Sequence, residues 1–188
     1  MRSLEALEEL RRLTLLMVSV HLLFLVAGYL SACFGFDWAL SMRDEFAASL
    51  ATHRQIQSIL GMVEQGRIAQ AIALTFGYNL ASGALLATAA GMLPPATVIL
   101  AAWRAFYVGL IYCDNLGSYG YVLLVAGTVA LEFTAYSIAS AAGIRLFLDA
   151  LRGEPRRGLR VLLFTYPWVV LLLLAGAVWE IGGLHLMR

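Results

Sequence analysis

Residues 121–143 read Tyr121-Val-Leu-Leu-Val-Ala-Gly-Thr-Val-Ala-Leu-Glu132-Phe-Thr-Ala-Tyr-Ser-Ile-Ala-Ser-Ala-Ala-Gly143. This stretch is long enough to cross a bilayer as a helix, which needs about 20 mostly apolar residues. Glu132 lies near its middle, where a charge costs at least about 2.5–3.5 kcal/mol in lipid and therefore needs a protein or water neighbour. Ala135, Ala139 and Gly143 share a helical face with Glu132, and small residues at this spacing allow another helix to approach closely. The stretch predicts a membrane-spanning helix whose Glu132 face packs against a neighbouring helix.

The composition is that of a membrane protein. Hydrophobic residues make up 61% of the 188 residues, charged residues make up 13%, and the mean hydropathy is +0.81. A soluble domain of this size could not cover so much apolar surface. The net charge is +1, and the arginines lie at segment ends without interleaved aromatic residues, so we expect no nucleic-acid partner.

The apolar segments predict an all-α, polytopic bundle of about five transmembrane helices, which together form a single membrane domain over residues 1–188. The predicted spans cover about residues 13–33, 70–93, 96–113, 121–143 and 159–183. Pro94-Pro95 predicts a tight turn between the second and third spans. Residues 114–120 predict a loop by composition, and residues 152–160 predict a basic linker.

The distribution of arginines predicts the orientation, because cytoplasmic loops carry an excess of basic residues. With the N-terminus inside and the C-terminus outside, the cytoplasmic arginines are Arg2, Arg11, Arg12, Arg145, Arg152, Arg156, Arg157 and Arg160, and the external ones are Arg43, Arg54, Arg67 and Arg188. We therefore expect a multi-pass protein of a bacterial or archaeal cytoplasmic membrane, in contact with membrane lipid. The end of the first span, Leu30-Ser-Ala-Cys33, is similar to a lipoprotein cleavage box. The acidic leading region favours an uncleaved signal anchor instead, and lipidation of Cys33 stays open.

Two further segments have amphipathic patterns. Residues 2–12 predict a short helix on the membrane surface, with a helical extension of the first span as the alternative. Residues 34–69 are more polar and predict two short extracytoplasmic helices, split near Ala51-Thr52-His53, on the bilayer surface or against the bundle. Their inward-facing apolar residues are the predicted partner-binding set: Phe46, Leu50, Ile56 and Ile59.

Polar side chains inside the spans are the candidate functional residues. At about 1.5 Å per residue, Glu132 and Arg104 lie at matching depths, roughly 16 and 18 Å below the outer face. Spans three and four are joined by a short loop, so the sequence predicts a buried Arg104–Glu132 ion pair. Such a pair is either a structural pin or part of a proton or ion relay. The full predicted intramembrane polar network is Asn79, Arg104, Glu132, Tyr136 and Glu180.

The sequence carries no recognisable catalytic or metal-binding pattern. We find no Ser/His, Asp/Asp or metal-ligand constellation, so we expect no enzymatic activity, no cofactor and no metal. His53 is interpreted as a solvated loop or cap residue because no second ligand sits at a useful spacing. Cys33 and Cys113 predict neither a metal site nor a disulfide framework.

Several short elements resemble the stage II sporulation protein M family of small membrane proteins. Phe76-Gly-Tyr-Asn79-Leu resembles a Phe-x-x-Asn element, the stretch from Leu131-Glu132 to Ala142-Gly143 resembles a Glu-Leu-x-Ala…Ala-Gly element, and Ala177-Val-Trp-Glu180 resembles the end of the last span. The likeness covers about residues 59–183. Arg104-Ala105 stands where the family has Asn-Gly, and Gly127-Thr-Val stands where it has Pro-His-Gly.

This resemblance implies a membrane scaffold or assembly factor with little chemistry of its own, since the sporulation member is a scaffold for cell-wall hydrolases. We therefore expect a non-enzymatic scaffold or accessory subunit that binds other membrane or envelope proteins. Homo-oligomers through small-residue faces are a further expectation. The alternative is a transporter or channel subunit that uses the Arg/Glu network as a polar pathway.

Overall fold

The structure, a computed structural model, describes residues 2–113 and 119–187, with side chains from residue 8 onward in those ranges. Its elements are helical throughout this part of the chain, which confirms the predicted all-α class. They are α1 Arg2–Cys33, α2 Asp37–Thr52, α3 Arg54–Glu64, α4 Ile68–Tyr78, a π-helical segment Asn79–Leu85, α5 Leu86–Gly91, α6 Pro94–Tyr112, α7 Tyr119–Leu151 and α8 Pro155–Leu186.

Five helical runs are long and apolar enough to cross a membrane, as the sequence predicts. They are α1 from Glu8, the continuous run Ile68–Gly91 formed by α4, the π segment and α5, then α6, α7 and α8. The chain is thus a multi-pass membrane protein. Pro94 and Pro95 occupy the first helical positions of α6, where proline's missing N–H is not needed, and this confirms the tight turn after α5.

Three predicted boundaries differ from the structure. For residues 2–12 the structure shows the alternative, a helical extension of the first span, because α1 continues without a break for 32 residues and no Pro or Gly interrupts it near Arg12. The basic linker is short: α8 begins at Pro155, and the turn before it uses Gly153 at a φ of +77°. The predicted loop at 114–120 lies mostly outside the described residues, and Tyr119 and Gly120 already belong to α7.

Helix α7 is the central element of the bundle. It packs along α8 and also contacts α1, α5 and the π segment, while α1 packs along α6. The main apolar cluster joins Ala84 and Ala105 to Ala135 and Ala139 of α7. Gly143 lies directly against the Thr88 carbonyl and Gly91, so a methyl group there would overlap the α5 backbone. The small-residue face predicted on α7 is therefore confirmed as a close helix contact.

A disulfide joins Cys33 at the end of α1 to Cys113 just after α6. The sequence analysis predicted no disulfide framework, and this was wrong. The two cysteines are 80 residues apart, so no local spacing reveals them as a pair. They meet because spans one and three run in the same direction and end on the same side, which is called the outer side below after the predicted orientation. Disulfides persist in oxidising compartments, which is the environment that the N-in orientation assigns to this side.

The segment between spans one and two forms a helical hairpin, α2–α3, which turns at His53. This confirms both the two predicted helices and the predicted break. Helix α2 packs along α6, where Ala39 clusters with Leu110. Helix α3 packs along α4, where Val63 clusters with Ala71. The hairpin therefore lies against the bundle, the second of the two predicted placements.

Candidate functional site

Glu132 of α7 is the centre of the polar site. Its Oε1 accepts a hydrogen bond from Asn79 Nδ2 at 2.5 Å, and its Oε2 accepts one from the Tyr136 hydroxyl at 3.4 Å. Its Cγ lies 3.4 Å from the position that a Cβ on Gly176 of α8 would take. Both carboxylate oxygens are thus bonded, and Glu132 connects α7 to the second span and to α8.

Arg104 does not form the predicted ion pair with Glu132. Among the ion pairs of the described residues, none joins the two side chains. Instead, Arg104 donates from Nη2 to the Ser82 carbonyl, and its Cζ lies 5.5 Å from the centroid of the Tyr136 ring. Tyr136 follows Glu132 by one helical turn and contacts both groups, with its ring facing the guanidinium and its hydroxyl reaching the carboxylate. The predicted depths correctly placed Arg104 and Glu132 at similar heights in the bundle. However, Tyr136 lies between the two side chains and contacts each of them.

The π-helical segment of the second span shapes this site. A π-helix shifts backbone hydrogen bonds by one residue, and such segments are frequent at functional sites. Asn79 begins the segment, and Ser82 supplies the carbonyl that Arg104 contacts. Gly83 faces the Tyr136 ring so closely that any side chain would collide with it. This segment was not predicted from the sequence. The available signal was the Ser82-Gly83 pair, a combination at which helices are often kinked.

Glu180 lies further outward than the other four predicted network residues. It follows Gly176 by four residues on α8, so it sits on the same face and about one turn closer to the outer end. Its side chain is half-buried, and within the described residues no hydrogen bond joins it to Asn79, Arg104, Glu132 or Tyr136. The structure therefore brings four of the five residues into one cluster and leaves Glu180 beside it.

A second buried polar contact connects α1 to α7 and was missed from the sequence. His21 Nδ1 lies 2.8 Å from the Met17 carbonyl and 3.1 Å from the Ser137 hydroxyl, and the ring packs on Phe133. A carbonyl oxygen only accepts hydrogen bonds, so Nδ1 carries the proton in this arrangement. With its proton on Nδ1, His21 points to oxygen atoms of both α1 and α7 and so connects the two helices. A histidine within an otherwise apolar span was the signal available.

Hydroxyl groups make further contacts along the inner half of α7. Thr97 of α6 donates to Ser140 at 3.2 Å. Thr88 of α5 donates to the Ala139 carbonyl at 3.2 Å and lies 2.8 Å from the Tyr166 hydroxyl of α8. The small residues of α7 permit these contacts by bringing the helices close together.

An ionic cluster ends the polar series at the inner end of α7. Arg145 and Asp149 have fully buried side chains and pair at 2.9 Å, and Arg145 also pairs with Glu9 of α1. Arg152 lies 3.5 Å from the same Glu9. The arginine distribution placed Arg145 on the cytoplasmic side, but the sequence revealed neither the burial of Arg145 and Asp149 nor the role of Glu9. The cluster attaches the first turns of α1 to α7.

The predicted partner-binding residues face the bundle. The Phe46 ring lies 4.7 Å from that of Tyr107, and Ile59 packs into the cluster of Val63 and Ala71. Leu50 and Ile56 are half-buried. The inward orientation predicted for Phe46 and Ile59 is confirmed, but these side chains are occupied within the chain and do not form an open surface.

The search for a metal site in the described residues and the comparisons with known proteins were both negative. Within the described residues, no group of three or more His, Cys, Asp or Glu side chains could hold a metal ion. Comparison of the chain with protein-family models, with curated proteins and with solved structures gave no match.

Proposed function

We propose that this chain is a non-enzymatic integral membrane scaffold or accessory subunit that binds other envelope proteins. Its place would be the cytoplasmic membrane of a bacterium or archaeon, with the N-terminus inside. One observation supports the proposal most directly: polar groups inside the spans are hydrogen-bonded to one another. The polar groups of α7 and its neighbours join the second span, α6, α8 and α1.

This arrangement suits a structural role because each contact specifies which helix lies beside α7 and at which height. Interhelical hydrogen bonds and buried ion pairs act in this way in membrane bundles, where apolar packing alone discriminates weakly between neighbours. A solute site, by contrast, needs polar groups that exchange partners with the solute. Both oxygens of Glu132 already accept hydrogen bonds from protein donors.

The resemblance to the stage II sporulation protein M family is a second, weaker support. Asn79 and Glu132 lie in two of the elements that carry it, and the two side chains bond directly to one another. A common polar contact would explain why elements far apart in the chain resemble the family together. Under this proposal the chain shares the family's scaffold role without necessarily sharing its partner.

Affinity capture from native membranes tests the scaffold proposal. The tagged chain, extracted in a mild detergent, should retain a membrane or envelope protein at a fixed stoichiometry. The matched control is a Gly143→Leu variant, whose helix packing is disrupted and which should lose the partner. Recovery of the intact wild-type chain with no protein partner, from membranes crosslinked before extraction, would refute the proposal.

The second candidate, a transporter or channel subunit, is favoured by the series of polar residues on α7. From Glu132 through Ser137 and Ser140 to Arg145, these residues cover about 20 Å of helix, and each has a polar partner on another helix. Proteoliposome flux measurements distinguish the two functions. A transporter should lose flux on Glu132→Gln while keeping its fold, whereas a scaffold has no flux to lose.

A further inference from the structure

Arg156 and Arg160 lie side by side at the inner end of α8. Both side chains are exposed, and they are one turn apart on the same face of the helix. Arg160 donates a hydrogen bond from Nε to the Arg156 carbonyl at 3.4 Å, and neither guanidinium has an ion-pair partner among the side chains that the structure describes. Like charges four residues apart on a helix repel each other. The pair therefore favours an anion from outside the chain.

The acids at this end of the bundle are already paired with other arginines. The described acidic side chains here are Glu8, Glu9, Asp149 and Glu154. Their partners are Arg12, Arg145 and Arg157. This part of the described chain thus leaves the positive charges of Arg156 and Arg160 uncompensated.

The membrane depth of the arginine pair follows from α7. Arg145 lies about 20 Å of helix inward from Glu132, which is near the middle of the apolar run. Half of the hydrocarbon core is about 15 Å thick, so Arg145 lies just beyond it. Gly158, between the two arginines of α8, lies against the Cα of Leu146, the residue after Arg145. The pair is therefore at the level of the lipid headgroups, a layer of about 5–7 Å on each side of the core.

The same face of α8 continues toward the membrane centre with apolar side chains. Leu159, Leu163 and Phe164 lie at helical spacing from the arginines, and these side chains are 48%, 64% and 63% exposed. Thr165 and Val169 lie on the opposite face of α8 and are buried in the bundle. A phospholipid beside the exposed face would place its phosphate at the arginines and its acyl chains along the apolar side chains.

We propose that Arg156 and Arg160 bind the phosphate of an anionic phospholipid, whose acyl chains lie along Leu159, Leu163 and Phe164. A guanidinium group donates two parallel hydrogen bonds to phosphate oxygens, and basic residues next to a span attract anionic lipids. A zwitterionic headgroup brings its own cation close to the arginines, so it binds less tightly. The site is separate from the polar contacts of α7, so it applies to a scaffold and to a transporter subunit alike.

Native mass spectrometry of the detergent-purified chain tests the proposal. In a titration with phosphatidylglycerol and phosphatidylcholine, the chain should bind the anionic lipid about tenfold or more tightly. Arg156→Gln with Arg160→Gln should remove this preference and leave phosphatidylcholine binding unchanged. The matched control, Arg54→Gln with Arg67→Gln, removes the same charge from exposed positions elsewhere and should keep the preference. Equal binding of the two lipids by the wild type, or an equal loss in the control, would overturn the proposal.

Competition with a soluble phosphate shows whether the acyl chains take part. Glycerol 1-phosphate at millimolar concentration should not displace phosphatidylglycerol, because it carries no acyl chain to lie along Leu163 and Phe164. Displacement by this compound would refute the lipid assignment and reassign the arginine pair to a free phosphate.

Photocrosslinking in membranes shows whether lipid or protein covers the arginines. A photoreactive residue in place of Leu159 should give adducts with anionic lipid above the share of that lipid in the membrane. The same probe in place of Leu171, which is 55% exposed and lies further along α8, should give adducts that follow the overall lipid composition. A protein adduct at Leu159 would contradict the proposal, because an acidic partner protein would then occupy the site.

Discussion

At the residue scale, glycines set how closely the helices approach. A Cβ on Gly143 would overlap the Thr88 carbonyl, whereas a Cβ on Gly77 would have no neighbour within 4 Å. We expect Gly143→Ala to destabilise the protein by about 1–3 kcal/mol, because overpacking forces backbone shifts. Gly77→Ala should be neutral or slightly stabilising, since alanine favours helix by about 1 kcal/mol. Unfolding in mixed micelles measures both, and an equal loss in the two variants would refute the close contact at Gly143.

The inner ionic cluster gives a second residue-scale prediction. Arg145 and Asp149 are fully buried, so loss of one partner leaves the other charge without compensation. Arg145→Met should cost about 3–5 kcal/mol of unfolding free energy, and Arg145→Met with Asp149→Leu should cost clearly less. The same unfolding assay completes the double-mutant cycle. Strictly additive losses would mean that the two side chains stabilise the fold independently.

At the element scale, the disulfide holds the outer ends of α1 and α6 together beside the start of α2. Its removal by Cys33→Ser should reduce the unfolding free energy by about 2–4 kcal/mol, as for other disulfides that close long loops. Protein alkylated during lysis should also migrate faster on a non-reducing gel than after reduction. Two free thiols in freshly isolated protein would contradict the bond and the external position of this end.

The sequence predicts some elements of this structure and leaves others unpredicted. Span number and helix type follow from composition and length, and the Pro94-Pro95 turn follows from proline geometry. The Cys33–Cys113 pair could not be found in this way, because the two cysteines are 80 residues apart. The π segment had only a local signal, the Ser82-Gly83 pair. The rise per residue predicted that Arg104 and Glu132 lie at similar depths, but it gives no information on how each helix is rotated about its axis. It therefore could not reveal that Tyr136 lies between the two charges.

At the scale of the whole molecule, orientation remains a prediction from the arginine distribution. Gln65, at the end of α3, should lie outside, and Arg156, at the start of α8, should lie inside. In intact cells a membrane-impermeant thiol reagent should label Gln65→Cys, and it should label Arg156→Cys only after permeabilisation. The reverse pattern would invert the topology and place the disulfide in the reducing compartment.

The whole bundle is arranged around α7, and we infer that its polar groups hold the spans in place. Purified wild type and Glu132→Gln, compared in one preparation for unfolding free energy and for proton flux in liposomes, test this most directly. We expect no flux above that of protein-free liposomes for either protein. We also expect the variant to lose about 1–3 kcal/mol of unfolding free energy, because an amide nitrogen replaces one of the two oxygens that accept hydrogen bonds from Asn79 and Tyr136. Flux in the wild type that disappears in an equally stable variant would contradict the structural role of Glu132.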